Sequence, residues 1–356
     1  MTVAIPIVAG IGNAIMAEPM VRQLRAAMPE ARIVIVALIR PMADVFQGIP
    51  NIETIVTGRG SKNLLAGMRK VRELKPDVYL VPFPSNRWQY NAMAKASGAK
   101  RVIVHGYPIG RIRALGFLHR DRVPAVRGIH DVVQNLQLLP KLGINPQRDA
   151  GPLFEPTAEQ IIAAKDKIAA LNLPSKHFAV MHAGSAKTIL AKAKRWPSEC
   201  YAKVAQRIVA EHDIDVVIVE GPDEVGVSDE IRSFCAGADC APRIHSLKLT
   251  GPLGESAAIL SHASFYVGTD SGLAHLSAAV GVPAVTLFAP ADPERVCPFG
   301  YRDLVVQPPG MGQPPFLYPW SSTFPKLPPG AEHWIQTIRI DDVMAKVHDV
   351  FSRGGR

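Results

Sequence analysis

Short unbroken runs of apolar residues, more than alternating ones, set the rhythm of this chain. Residues 3–8, 33–38, 52–56, 78–81 and 102–105 each read as a strand buried on both faces. That is the pattern of a parallel sheet covered by helices. Between them lie a helix at about 14–28 and a basic one at 64–74. Residues 111–127 interrupt the rhythm, being rich in arginine and poor in periodic apolar positions. A helix follows near 132–142, and residues 145–156 carry several turn formers and read as a linker. The rhythm then restarts, with helices predicted at 157–170, 198–212 and 254–261 and strands at 177–182, 216–220 and 265–267. Next, Val267-Gly268-Thr269-Asp270-Ser271-Gly272-Leu273-Ala274-His275 turns sharply from strand to helix, and Gly281 and Pro283 end that helix and launch a further strand. Residues 307–330 are proline-dense and predicted irregular, and a helix at 341–351 closes the chain. The pattern predicts an α/β chain of two doubly wound halves, with ligands at the carboxyl ends of the strands in a cleft between them.

Composition narrows the class. At 356 residues and 47% hydrophobic content the chain suits two globular domains with large cores. Forty Lys and Arg against 31 Asp and Glu give +9, which favours anionic partners without choosing among phosphate esters, lipids and nucleic acid. No nucleic-acid recognition motif supports the last of these. Cys200, Cys235, Cys240 and Cys297 are too scattered for a metal site or a disulfide framework and read as reduced thiols. The first eight residues lack the basic flank of a signal peptide, and no apolar run reaches the ~18 residues of a membrane span. A cytoplasmic protein without a bound cofactor or metal is the expectation.

Four places carry candidate chemistry. The turn at Asp270-Ser271-Gly272 brings several unpaired backbone N–H groups of a helix N-terminus toward one point, a ready anion site. Ser271 and His275, four apart, share a face of that helix. Asp270 reads as a cap that orients those amides. His182-Ala183-Gly184-Ser185, at the end of a strand, is followed by Lys187, Lys192, Lys194 and Arg195 and then by Trp196-Pro197. Small residues let backbone amides approach an anion, and lysines supply point charges that suit a diphosphate. Lys187 fits a solvated loop as well, whereas Trp196 pins Lys194. Glu220-Gly221-Pro222-Asp223-Glu224 ends another strand, where acids either bond ribose hydroxyls or start a helix. Gly10-x-Gly12-Asn13 lacks the third glycine of a dinucleotide fingerprint and reads either as a tight turn capped by Asn13 or as a substrate contact. Asp213-Ile214-Asp215 resembles a metal-holding D-x-D, but it precedes a strand on the wrong side of the sheet and reads as a turn.

Taken in order, residues 10–19, 182–197, 221–224 and 268–300 resemble glycosyltransferase family 9, the ADP-heptose:lipopolysaccharide heptosyltransferases. The resemblance spans residues 3–305 and implies a GT-B fold of two Rossmann-like domains facing a central cleft. It implies an acceptor-binding domain over 1–150, a nucleotide-sugar domain over 157–330, and a closing segment 331–356 that packs back on the N-terminal domain. The implied activity is inverting, metal-independent transfer of heptose or a related sugar to a bacterial surface glycan such as the lipopolysaccharide core, at the cytoplasmic face of the inner membrane. Carried over by position, Lys194 meets the donor diphosphate and Glu224 the ribose; Gly184, Ser185, Asp270, Ser271, Gly272 and His275 complete the donor side. Gly12, Asn13 and Arg120 fall on the acceptor side, the last within a stretch (Arg111, Arg113, Arg120, Arg122, Arg127) that suits an anionic glycolipid or a membrane surface.

The departure from the pattern is Asn13, where the best-known members carry the Asp proposed as catalytic base. An amide is a poor proton acceptor. Either Asn13 only orients the acceptor while Glu18, His105 or Asp131 takes the proton, or the chain uses a different donor or acceptor, or it binds without catalysis. Glu18 points to another face of the helix than Asn13. A sugar-nucleotide epimerase of the same fold, needing no acceptor, is the alternative enzyme.

Overall fold

The computed structural model describes residues 1–108, 112–173, 177–184, 193–222, 224–312, 319–320 and 330–353, the side chain of Glu332 apart. The chain divides into two compact units, one running from Met1 to Phe154 and joined by Pro319 and Trp320, the other taking in the chain from Glu155. The first holds strands β1 Thr2–Ile7, β2 Arg32–Ala37, β3 Ile52–Val56, β4 Val78–Leu80, β5 Arg101–Gly106 and β6 Asp121–Pro124. The second holds β7 Phe178–His182, β8 Asp215–Glu220, β9 Ile244–Lys248, β10 Phe265–Thr269, β11 Ala284–Leu287 and β12 Val305–Val306.

Each unit is one six-stranded sheet, in the orders β3-β2-β1-β4-β5-β6 and β12-β11-β10-β7-β8-β9, with every pair parallel. Counted within its own unit, each sheet has the Rossmann order 3-2-1-4-5-6. The inner strands β1, β2, β7 and β8 are buried almost end to end, as their apolar runs require. The strands β6 (DRVP) and β9 (IHSLK) lie at sheet edges and have no such run. They therefore escape a reading that looks for one. Short helices at Arg40–Asp44, Trp88–Ala96 and Val227–Cys235 escape it as well.

The closing helix, Ile340–Ser352, expected to pack back on the N-terminal domain, joins the core of the second unit. Its Val343, Met344, Val347 and Val350 join Trp196, Tyr201, Val204 and Ile208 in one core, and Arg207 on the helix Ser198–His212 binds Asp341 at 2.7 Å. The apolar stripe of this helix packs against β11 and β12 beside the helix Ser198–His212, as part of the layer that covers the second sheet. Trp196 is fixed from the same direction, its Nε1 donating to Ile338 O at 3.2 Å.

Candidate active site

In a doubly wound sheet, ligands bind where the strand order reverses, beyond the carboxyl ends of the strands flanking that point. In the second unit those strands are β7 and β10, which pair with Gly268 opposite His182. Their loops therefore leave side by side, and Thr269 Oγ1 ties them by donating to Gly184 O at 3.0 Å. From β10 the chain enters the helix Gly272–Ala279 through Ser271, whose extended backbone (φ −147°) and Oγ, accepting from Ala274 N at 3.4 Å, make it the cap. Asp270 was expected in that role. It sits one residue too early, and its carboxylate is taken by the Lys194 ammonium instead. Lys194 Nζ also donates to Asp270 O at 3.4 Å. The pairing resolves the difficulty of a carboxylate at an anion site, since Lys194 neutralises it. His275 lies buried in the first turn of the helix, its Nε2 3.9 Å from Asp270 Oδ1.

Across the same opening, His182 Nε2 bonds Glu224 Oε2 at 2.8 Å, and Gly221 N donates to that oxygen at 3.2 Å. Burial pushes the Glu224 carboxyl up, but the His182 bond and charge and the Gly221 amide together hold it below the ordinary carboxylate value. Gly184 is what admits it: a Cβ there would lie 2.0 Å from Glu224 Cδ. Glu220, the other acid after β8, takes the amides of Ser228 (2.9 Å) and Gly226 (3.4 Å) and so serves the start of the helix Val227–Cys235. Of the described acids at the end of β8, that leaves Glu224 beside His182 and Gly184. Ser185, Lys187, Lys192 and Asp223 lie outside the described residues. Asp213 and Asp215 are both clamped by Arg243, at 2.5 and 2.7 Å, where β8 begins. Asp213 ends the helix Ser198–His212 with φ 54° and Asp215 opens β8, so the expected turn is only the short link between them.

Sequence reasoning missed Tyr266. Its buried hydroxyl lies 3.2 Å from Ser271 Oγ and 3.3 Å from His182 Nδ1, and Ser271 Oγ is 3.3 Å from the same nitrogen. Gly268, two residues on and on the same face of the strand, makes room, since a Cβ there would come within 2.5 Å of the Tyr266 oxygen. That i, i+2 tyrosine–glycine pair is the signal available in the sequence. Burial raises the phenol far above its ordinary value, so it stays protonated and available as a donor.

In the first unit the strands flanking the reversal are β1 and β4. The chain after β1 enters the helix Ile11–Ala27 through Gly10, whose φ of 138° suits glycine. Asn13 is therefore not the cap; it lies inside the first turn with Gly12, its Nδ2 reaching Ala9 O at 3.5 Å. Arg120 is not gathered with them. It precedes β6, three strands across from β1 (about 14 Å at the usual spacing), and is exposed. The three candidate bases are all interior, with exposures of 2% for Glu18, 4% for His105 and 0% for Asp131. Glu18 is held by Arg22 at 2.8 Å and by Leu153 N at 3.0 Å, a joint between helix and linker. His105 bonds Gln134 O at 3.0 Å, and burial pushes its imidazole down to about 4.

The family model for glycosyltransferase family 9 (heptosyltransferase) matches residues 96–315. Lipopolysaccharide heptosyltransferase 3 of Escherichia coli K12 is 24% identical over 299 residues, 79% of this chain and 80% of its own length. Among solved structures, a family 9 glycosyl transferase from Veillonella parvula superposes with a TM-score of 0.80 at 18% identity, covering 99% of this chain and 98% of its own. The E. coli ADP-heptose LPS heptosyltransferase II does so with a TM-score of 0.74 at 17% identity, covering 99% of each chain. These likenesses give the fold as GT-B, two Rossmann-like domains. With the family model spanning more than half of its length, the chain belongs to glycosyltransferase family 9 and is a glycosyltransferase.

Proposed function

We propose that this enzyme transfers heptose, or a closely related sugar, from an ADP-linked donor to a lipopolysaccharide-core type of acceptor. The donor class follows the relatives, one of which is named for ADP-heptose and lipopolysaccharide. The observation that carries the reading is the gathering of Lys194, Gly184, Glu224, Ser271 and the Gly272 amide at the carboxyl ends of β7 and β10. Glu224 takes the ribose hydroxyls, and the helix N-terminus with Ser271 and Lys194 takes the diphosphate. His275 supports the turn through Asp270.

As the sugar leaves, negative charge grows on the diphosphate. Fixed amides and Lys194 stabilise that charge where it develops, with no metal ion required. In the first unit Asn13 orients the acceptor hydroxyl, which attacks the anomeric carbon from the face opposite the departing diphosphate and inverts it. Residues 1–150 bind the acceptor and 157–330 the donor. Exposed Leu65, Trp88, Ile112 and Phe117, among exposed Arg113, Arg120 and Arg127, suit an anionic glycolipid at a membrane surface. Among the described residues no helix is long and apolar enough to cross a membrane.

The test is a panel of nucleotide sugars with purified enzyme and truncated core acceptors, read as sugar transferred and as anomeric configuration. An ADP-heptose-type donor should be consumed only when acceptor is present. Release of a free or isomerised sugar without acceptor would instead identify an epimerase-like activity.

A further inference from the structure

Three side chains outside the donor site stand together where the closing helix meets the end of the helix Ser198–His212. Glu211 and His212 finish the earlier helix, and His348 comes from the closing one. Each offers one ligand atom, and the three atoms lie within 4.8 Å of one another. His348 Nε2 is 2.9 Å from Glu211 Oε2, a span that one ion with bonds of about 2.1 Å can bridge.

The His212 ring is held in place before any ion arrives. It stacks face to face on Phe351, with centroids 3.9 Å apart and planes within 5°, and meets His348 edge-on at 5.1 Å. Its Nε2 is enclosed and has no hydrogen-bond partner, an uncommon state for a buried ring nitrogen. Burial, and then the charge of His348, push the His212 imidazole down, so at neutral pH it is uncharged and keeps a lone pair.

Arg207 reaches the same place, donating to Glu211 Oε1 at 2.6 Å and to Asp341 Oδ1 at 2.7 Å, which leaves Glu211 Oε2 to His348. The Arg207 bond holds the Glu211 carboxyl below its ordinary value, so the group is ionised and able to ligate. Two carboxylates against one guanidinium leave one negative charge in excess. The carbonyl end of the helix Ser198–His212 adds to it, and both favour a cation.

We propose that Glu211, His212 and His348 form a site for one divalent first-row transition ion, such as Zn2+, that clips the closing helix to the helix Ser198–His212. Two imidazoles and a carboxylate suit such an ion and leave its other positions to water. Drawing the set from 4.8 Å to coordination spacing falls to His348, whose side chain is 49% exposed. The role is structural. His212 lies just before β8 begins at Asp215, at the amino ends of the strands, whereas the donor opening is at their carboxyl ends. The site therefore stands apart from the transfer chemistry and does not rest on the donor assignment.

The experiment is calorimetric titration of the full chain, lacking a polyhistidine tag and treated with chelator, with Zn2+, alongside thermal melts with and without zinc. Wild type should bind one zinc with micromolar affinity, and at about tenfold above Kd its Tm should rise by roughly 2–4 °C. His348→Ala should weaken zinc by at least about 10–100-fold and abolish the shift, and Glu211→Gln should weaken it in the same direction. His333→Ala, which removes an exposed histidine elsewhere, should leave zinc affinity unchanged. Lack of saturable binding up to about 1 mM zinc, or binding undiminished in His348→Ala and Glu211→Gln, would overturn the proposal. Melts without zinc separate a lost ligand from a lost fold, and Glu211→Gln decides the matter if His348→Ala does not fold.

Discussion

Replacing Gly184 with alanine puts a single methyl group into the space that Glu224 occupies. The new Cβ would lie 2.0 Å from Glu224 Cδ and 2.3 Å from each carboxylate oxygen. No positive φ constrains Gly184, so the backbone accepts alanine and the side chain of Glu224 must move. Moving it breaks the 2.8 Å bond to His182 and the 3.2 Å bond from Gly221 N. A charge-assisted bond contributes about 1.5–3 kcal/mol and a neutral one about 1, partly recovered as the carboxylate reaches water, so a net loss of about 2 kcal/mol follows. For a unit of this size that is a drop of roughly 4–8 °C in Tm. With Glu224 displaced from the ribose, ADP affinity should fall by about 10–100-fold. Gly221→Ala is the control, because its Cβ would stand at an ordinary 3.7 Å from Glu224 Oε2. Calorimetric titration with ADP and a thermal melt of both variants provide the comparison. If Gly184→Ala binds ADP within about twofold of wild type, Glu224 does not hold the ribose and the reasoning fails.

Lys194→Ala removes the cation beside the diphosphate turn and should lower kcat/KM for the donor by about 100–1,000-fold; transfer at the wild-type rate would exclude it from the site. Asn13→Ala should reduce kcat while leaving the shape of the pH–rate profile intact, because an amide does not titrate; a missing acid limb in the variant would contradict an orienting role. Burial holds the His105 imidazole near 4, below the ordinary 6.5, so the unfolded chain binds its proton first as pH falls. That contribution to stability is fully present above about pH 6.5 and is lost by about pH 4, a change of roughly 3 kcal/mol. Urea unfolding across this range should show a steeper loss for wild type than for His105→Gln, and parallel curves would refute it.

Whatever depends on local chemistry could be read along the chain. Apolar runs at β1, β2, β7 and β8, alternating with helical stretches, point to strands of a covered parallel sheet, which hides both faces of each strand. Motif order along the chain was enough to point to the family, and the small residues after β7 and β10 suggested the anion site proposed above. The edge strands β6 and β9 were not legible, since one exposed face removes the apolar run that betrays a strand. Arg120 looked like a candidate on charge alone, and only sheet order placed it three strands from Asn13. Asp270 and Ser271 are equally good caps by residue type. The strand's exit fixed which of them reaches Ala274 N, and Lys194, 76 positions away in sequence, claimed the other. His182, Tyr266 and Glu224 come from three strands or their loops, and each donor or acceptor among them has meaning only beside the other two. Which groups pair in a buried cluster is a property of several residues at once, so it becomes visible only once the fold brings them together.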